Sequence, residues 1–333
     1  MRKKTLLPFE TNPYSTMYHG IAFPMGIIQG NAKTDITPWL CGKYINCWFV
    51  EAAENKFAYY INDNWPTGDK ILFQQRIDIF SNFYKILKIE PISLFRKMLN
   101  MGYYVHGIYN EQYIPGKKHF QKNYYSHDFI LIGYNDILKK FISVGFLEDG
   151  KFQPYYITYD DMIKSIESLK SSKFAYNFWK YNEDYNFLID IKRIVVELSD
   201  YLQSKTSIKM YTQNRYWGIE AMQQLMLYFK THYVDEYILD HRYTRGLKEH
   251  KFYMEKRIEY LLSNGYLKKD YYLRIARDVR NIADIIHMLG IKYNATKNHQ
   301  VISNICDRMQ DIISIEKDYL PEILDDMSFF VQQ

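Results

Sequence analysis

Two neighbouring stretches decide the fold: Tyr103-Tyr104-Val105-His106-Gly107-Ile108-Tyr109 and Phe129-Ile130-Leu131-Ile132-Gly133-Tyr134. Each is a run of aromatic and β-branched residues, the composition that packs well on a pleated, buried surface. Phe141-Ile142-Ser143-Val144-Gly145-Phe146 follows after Asn135-Asp136 and a short polar stretch, which predicts a hairpin. Phe152 to Thr158 supplies a fourth strand, and Asp160 to Leu169 reads as a short helix opened by acidic residues. Four antiparallel-looking strands and a helix make this half of the chain α+β.

Most of the nine prolines and 15 glycines fall before residue 175, the punctuation of short elements and turns. From about residue 184 the hydrophobic period becomes 3.6. Phe187-Leu188, Ile191, Ile194-Val195, Leu198 and Leu202 share one helical face. Further helices are predicted over Ile219 to Tyr233, Tyr253 to Leu262, Tyr271 to Leu289 and Gln300 to Ile315. Breaks are expected at Ser263-Asn264-Gly265, Gly290 and Pro321. The expected division is an α+β region over 1–175 and a helical region over 176–333, with residues 171–184 as the boundary.

Composition excludes several classes. Of 333 residues, 47% are hydrophobic and 24% charged, so the chain has the material for a packed core. No apolar stretch reaches the length of a membrane span, and the basic start Met1-Arg2-Lys3-Lys4 lacks the apolar run of a signal peptide. Three cysteines are too few for a disulfide framework, which points to a reducing, cytoplasmic setting. The net charge of +5 is too mild for the basic stripe of a nucleic-acid binder. Between Arg242 and Arg280, however, eleven Lys and Arg face five acids, so this stretch is a candidate docking face for an acidic partner. The aromatic share is 17%, with 33 tyrosines that read mainly as packing residues keeping a hydroxyl partner.

The chemistry is sought by elimination. The nine histidines are scattered with no His-Glu-x-x-His, no Cys-x-x-Cys occurs, and neither glycine-rich phosphate loops nor a Gly-x-Ser-x-Gly elbow is present. No metal or organic cofactor is expected. Thiol chemistry remains. An imidazole that takes the thiol proton, with a helix N-terminus that stabilises the thiolate, makes cysteine a strong nucleophile. Cys41 and Cys47, both within Thr37 to Phe49, and His127 before its apolar strand are the candidates for those roles. Pro38 is placed to start a helix with Cys41 in its first turn, while Cys47 is the candidate that the resemblance below favours. Cys306, beside Ile305 in an amphipathic pattern, reads as core.

Cys47-Trp48-Phe49 followed by Ala52-Ala53 resembles the nucleophile segment of papain-like enzymes, in which Cys-Trp opens the central helix. His127 and the strand ending Gly133-Tyr134 resemble the histidine strand of that superfamily. Residues 102–169 look more specifically like the N-terminal domain family named after butirosin biosynthesis. The likeness rests on the Gly-Tyr-Tyr-Val strand, the segment Asn110 to Pro115, the Gly-Tyr-Asn-Asp after His127 and the helix entry Ile157-Thr158-Tyr159-Asp160. Members of that family resemble bacteriocin-leader peptidases. The resemblance implies a papain-like fold, a central helix plus an antiparallel sheet, with a helical tail like those of proteins from nonribosomal peptide clusters. It also implies acyl transfer from a carrier-protein thioester to an amine in antibiotic biosynthesis.

Two departures stand out. Counting back about six residues from Cys47 reaches Cys41 rather than an oxyanion-stabilising glutamine, which leaves Asn46 as a substitute donor. The strand after the histidine offers Ser143 or Val144 where an acid or amide is usual. If strands 103–109 and 127–134 pair antiparallel, Asn110 lies beside His127 and can hold its imidazole, with Glu111 and Asp128 as runners-up. Asp128 is expected to point away from His127 by strand alternation.

The expectation is therefore a cysteine acyltransferase. Cys47 attacks the thioester, His127 moves the proton and Asn110 steadies it, while stretch 242–280 receives the acidic carrier or its phosphopantetheine phosphate. A peptidase or amidase, or a homologue that binds a carrier or peptide without catalysis, are the alternatives.

Overall fold

The computed structural model describes residues 3–51, 57–61, 70–80, 90–170, 173–207, 215–232 and 238–331. Its strands are β1 (Lys4–Leu6), β2 (Cys47–Glu51), β3 (Phe57–Ile61), β4 (Leu72–Phe80), β5 (Tyr104–Asn110), β6 (Ser126–Asn135), β7 (Lys140–Phe146), β8 (Phe152–Thr158), β9 (Lys173–Tyr181) and β10 (Arg215–Trp217). Its helices are α1 (His19–Asn31), α2 (Thr37–Leu40), α3 (Pro91–Asn100), α4 (Tyr159–Glu167), α5 (Ile191–Leu202), α6 (Gly218–His232), α7 (His241–Ser263), α8 (Tyr271–Thr296) and α9 (His299–Ser328). The mixed α and β character with an antiparallel sheet agrees with the sequence reading. Among the described residues, no helix is long and apolar enough to cross a membrane.

The chain forms two compact units, Met1–Lys33 with Asn64–Tyr185, and Thr34–Asp63 with Asn186–Gln333. A single cut at 175 is thus corrected twice. The later crossing lies beyond β9, because β9 pairs with both β4 and β5 and so belongs to the first unit. Residues 34–63, which carry Cys41 and Cys47, belong with the helices.

In the first unit the sheet runs β4-β9-β5-β6-β7-β8, antiparallel throughout, and β1 pairs with β6. One face packs Val105, Tyr109, Phe129, Leu131 and Phe178 against Phe95 and Leu99 of α3 and Met162 and Ile166 of α4. Thr158 caps α4, its hydroxyl accepting from the Asp161 N–H. Helix α1 is buried along Ala22 to Ile28. Pro24 inside it reads in sequence as a break, which hid this helix from periodicity. Segment 8–10 crosses α1 so closely that a Cβ at Gly26 would lie 2.3 Å from the Phe9 ring, and one at Gly30 2.6 Å from the Phe9 backbone. At Gly30 the close atoms are backbone, so only glycine fits there, whereas a side chain at Gly26 would have to displace the Phe9 ring.

The second unit is not helical throughout, since β10-β2-β3 form a small antiparallel sheet. Cys47 opens β2, which corrects the expectation that it opens a helix. The aromatic and β-branched run Trp48-Phe49-Val50 pairs instead with Phe57–Ile61 and Arg215–Trp217. Helix α5 starts at Ile191, where the Asp190 carboxylate caps the Arg193 N–H, seven residues after the periodicity begins. The break at Ser263-Asn264-Gly265 ends α7, but α8 runs through Gly290 and α9 through Pro321. Gly290 is a contact point, since a Cβ there would come within 3.1 Å of the Thr244 hydroxyl.

Candidate functional site

Antiparallel pairing of β5 with β6 sets Tyr109 opposite His127 and Ile108 opposite Asp128. His19, the first residue of α1, meets them there. Its Nδ1 lies 2.9 Å from Asp128 Oδ1, and its ring centroid is 4.7 Å from that of His127. His19 stacks on Phe23 and Phe146, which fix the plane of the imidazole. On the other side of Asp128, His106 Nε2 stands 3.6 Å from Oδ2. His106 is stacked on Trp179, and its Nδ1 accepts from Asn177 Nδ2 at 3.2 Å, so its proton sits on Nε2.

His127 Nδ1 lies 3.0 Å from Glu111 Oε1, and its Nε2 lies 3.5 Å from Asp128 Oδ1. Glu111 follows β5 immediately and is buried, whereas the His127 side chain is 36% exposed and forms the open edge of the group. Tyr125 borders that edge, 5.6 Å from His127, with His119 stacked on it. Burial keeps His19 neutral by lowering its pKa, with the Asp128 hydrogen bond opposing and His127 and Lys117 adding to the shift. Burial alone would push the Asp128 carboxyl up, yet the imidazoles of His106, His19 and His127 hold it well below the usual carboxylate range. The result is an ionised carboxylate ringed by three imidazoles. Such a group can hold a cation or pass protons between ring nitrogens.

The orienter of His127 is Glu111, not Asn110. The Asn110 side chain faces its own turn, accepting from the Gln112 and Tyr125 N–H groups and donating to Ser168 Oγ. That amide is an N-cap, the commoner use of asparagine at the end of an element. Asp128 does not turn away from His127 either. The two meet at the start of β6, and both reach His19. Ser143 donates to the Ile130 carbonyl and stays inside the sheet.

All three cysteines belong to the second unit and are buried. Cys47 is at 0% exposure, with Sγ 3.5 Å from the Gly218 carbonyl oxygen. Asn46, the substitute oxyanion donor, is fully engaged: Oδ1 accepts from the Cys47 N–H and Nδ2 donates to the Lys205 carbonyl. Pro38 does start a helix, but α2 is four residues long and Cys41 ends it. Burial pushes the Cys41 thiol up to about 12, against a smaller lowering by Arg257. A thiol of this kind is protonated and shielded, the opposite of an activated nucleophile. Cys306 lies in the helical core as expected.

Stretch 242–280 is largely neutralised within its own unit. Arg242 pairs with Asp240, Lys248 with Asp284, Lys251 with Glu316, Lys269 with Glu322, and Arg277 and Arg280 with Glu255. Arg257 is buried on the carbonyls of Cys41 and Lys43, where it fastens the turn before β2. Most of the acids come from outside the stretch, which is why a local count overstated its charge.

No protein-family model and no curated protein matches the chain. His127, Glu111 and Asp128 are legible as candidates in the sequence, whereas His19, more than a hundred residues away, has no motif around it.

Proposed function

We propose that the first unit is a papain-like fold in which the nucleophile has been replaced by an imidazole, and that it binds a carrier-held acyl group without forming an acyl-enzyme. The observation that carries this reading is His19: it begins the buried helix α1, the place of the thiol in papain-like enzymes, beside His127. Glu111 on His127 Nδ1 supports the reading by giving the imidazole a carboxylate partner, although it comes from the end of β5 and not from the strand after the histidine. The resemblance of residues 102–169 to the butirosin-type domain supplies the ligand class. The near neutrality of stretch 242–280 makes it a poor platform for an acidic carrier, so the open edge at His127 and Tyr125 is the proposed contact.

The test uses intact-mass analysis after incubation with an acyl thioester, together with calorimetry against an acyl-loaded carrier protein. The expected result is no covalent adduct and saturable binding of the loaded carrier, weaker for the unloaded one. An adduct lost in Cys47→Ala would restore thiol acyl transfer, and absence of carrier binding would overturn the binding reading.

A further inference from the structure

We propose that His19, His127 and Asp128 form a binding site for a divalent transition-metal cation of the zinc class. His19 Nδ1, His127 Nε2 and Asp128 Oδ1 are the ligand atoms, and atoms offered by these three residues lie within 4.8 Å of one another. Metal–ligand bonds of about 2.0–2.1 Å at tetrahedral angles require ligand atoms about 3.3 Å apart. The observed separations of 2.9 Å for His19 to Asp128 and 3.5 Å for His127 to Asp128 bracket that value.

The surroundings of His127 are those of a metal-bound ring, while the other nitrogen of His19 makes no hydrogen bond among the described residues. A metal-bound imidazole normally gives its other nitrogen to a carboxylate that fixes the ring and raises its basicity. Glu111 does this for His127 at 3.0 Å. The second oxygen of Asp128 has His106 Nε2 at 3.6 Å, with His106 itself held by Asn177 and Trp179. Two imidazoles and one carboxylate suit zinc, cobalt or iron in the divalent state rather than calcium or magnesium, which prefer all-oxygen sets. Three protein ligands leave a position toward the exposed edge of His127, where water or a ligand donor can enter.

This inference does not depend on acyl binding. Its test uses the untagged full-length chain, stripped with chelator and dialysed separately against Zn²⁺ and Co²⁺. Metal content is read by mass spectrometry and the cobalt site by its visible absorption. One equivalent per chain is expected. His127→Ala and Asp128→Asn should lose it while keeping the circular dichroism of the parent. Glu111→Gln, which alters a positioning residue, should keep the stoichiometry at 10–100-fold lower affinity. His119→Ala, a nearby ring outside the group, should bind as the parent does. Absence of stoichiometric metal in the parent, or undiminished binding in both His127→Ala and Asp128→Asn, overturns the proposal.

Discussion

Glu111 Oε1 lies 3.0 Å from His127 Nδ1, one residue beyond the Asn110 amide that caps the same turn. Adjacent residues thus divide two tasks, one building the turn and the other holding the ring. Glu111→Ala is expected to free the His127 ring, seen as mixed ring tautomers by nitrogen NMR, and to cost about 1 kcal/mol. Asn110→Ala should cost about 1–3 kcal/mol in urea unfolding, because two backbone N–H groups lose their acceptor, and should leave the tautomer unchanged. The reverse pattern would return the orienting role to Asn110.

Burial of all three thiols gives a simple chemical expectation. With native protein at pH 8, a thiol-reactive disulfide reagent should label none of them over minutes, and all three after guanidinium is added. Rapid native labelling of one site, mapped by peptide mass, would identify a thiol that the fold presents to solvent.

Lys251 Nζ sits 2.7 Å from Glu316 Oε1 with both side chains at 0% exposure, and Tyr201 donates to the same carboxylate. Removing one partner leaves a buried charge, so Lys251→Met should destabilise the second unit by about 3–5 kcal/mol. Lys251→Met with Glu316→Leu should recover most of that loss, because no charge is then left unpaired. Denaturant melts of both single variants and the double variant measure the difference.

His250 is buried, and its Nε2 donates to the Ile45 carbonyl at 2.8 Å. Burial pushes its pKa well below the ordinary 6.5, with the Lys251 and Arg257 charges adding to the effect. His287, lowered to about 4 mainly by burial, acts in the same direction. The unfolded chain therefore binds more protons below about pH 6.5 than the folded one. Stability should be full above that pH and fall below it, by up to ~1.4 kcal/mol per pH unit for each such histidine. His250→Gln, which keeps a donor for Ile45, should flatten the slope between about pH 6.5 and 5. An unchanged slope would assign the acid sensitivity elsewhere.

The first unit was legible where its signals were local. Strands β5 to β8 and helix α4 follow from aromatic and β-branched runs, turn residues and a threonine cap, all read within a few residues. The tyrosine expectation holds in part: Tyr109, Tyr134 and Tyr201 are buried with their hydroxyls on Tyr155, Asn100 and Glu316, whereas the buried Tyr319 hydroxyl makes no hydrogen bond among the described residues. Cys47 misled because a cysteine followed by tryptophan has no fixed secondary structure. Its strand is decided by partners at 57–61 and 215–217 that no local pattern reveals.

Sequence alone determined the α+β character, the long helices beyond residue 190 and the candidacy of His127, since these depend on periodicity and residue type. Tertiary structure decided that residues 34–63 join the helices, because Arg257 and His250 hold the backbone at Cys41, Lys43 and Ile45. It alone brought His19 to Asp128 across 109 residues. Burial lowers the pKa of His19, whereas the surrounding imidazoles hold Asp128 ionised against burial, and only the fold supplies those neighbours.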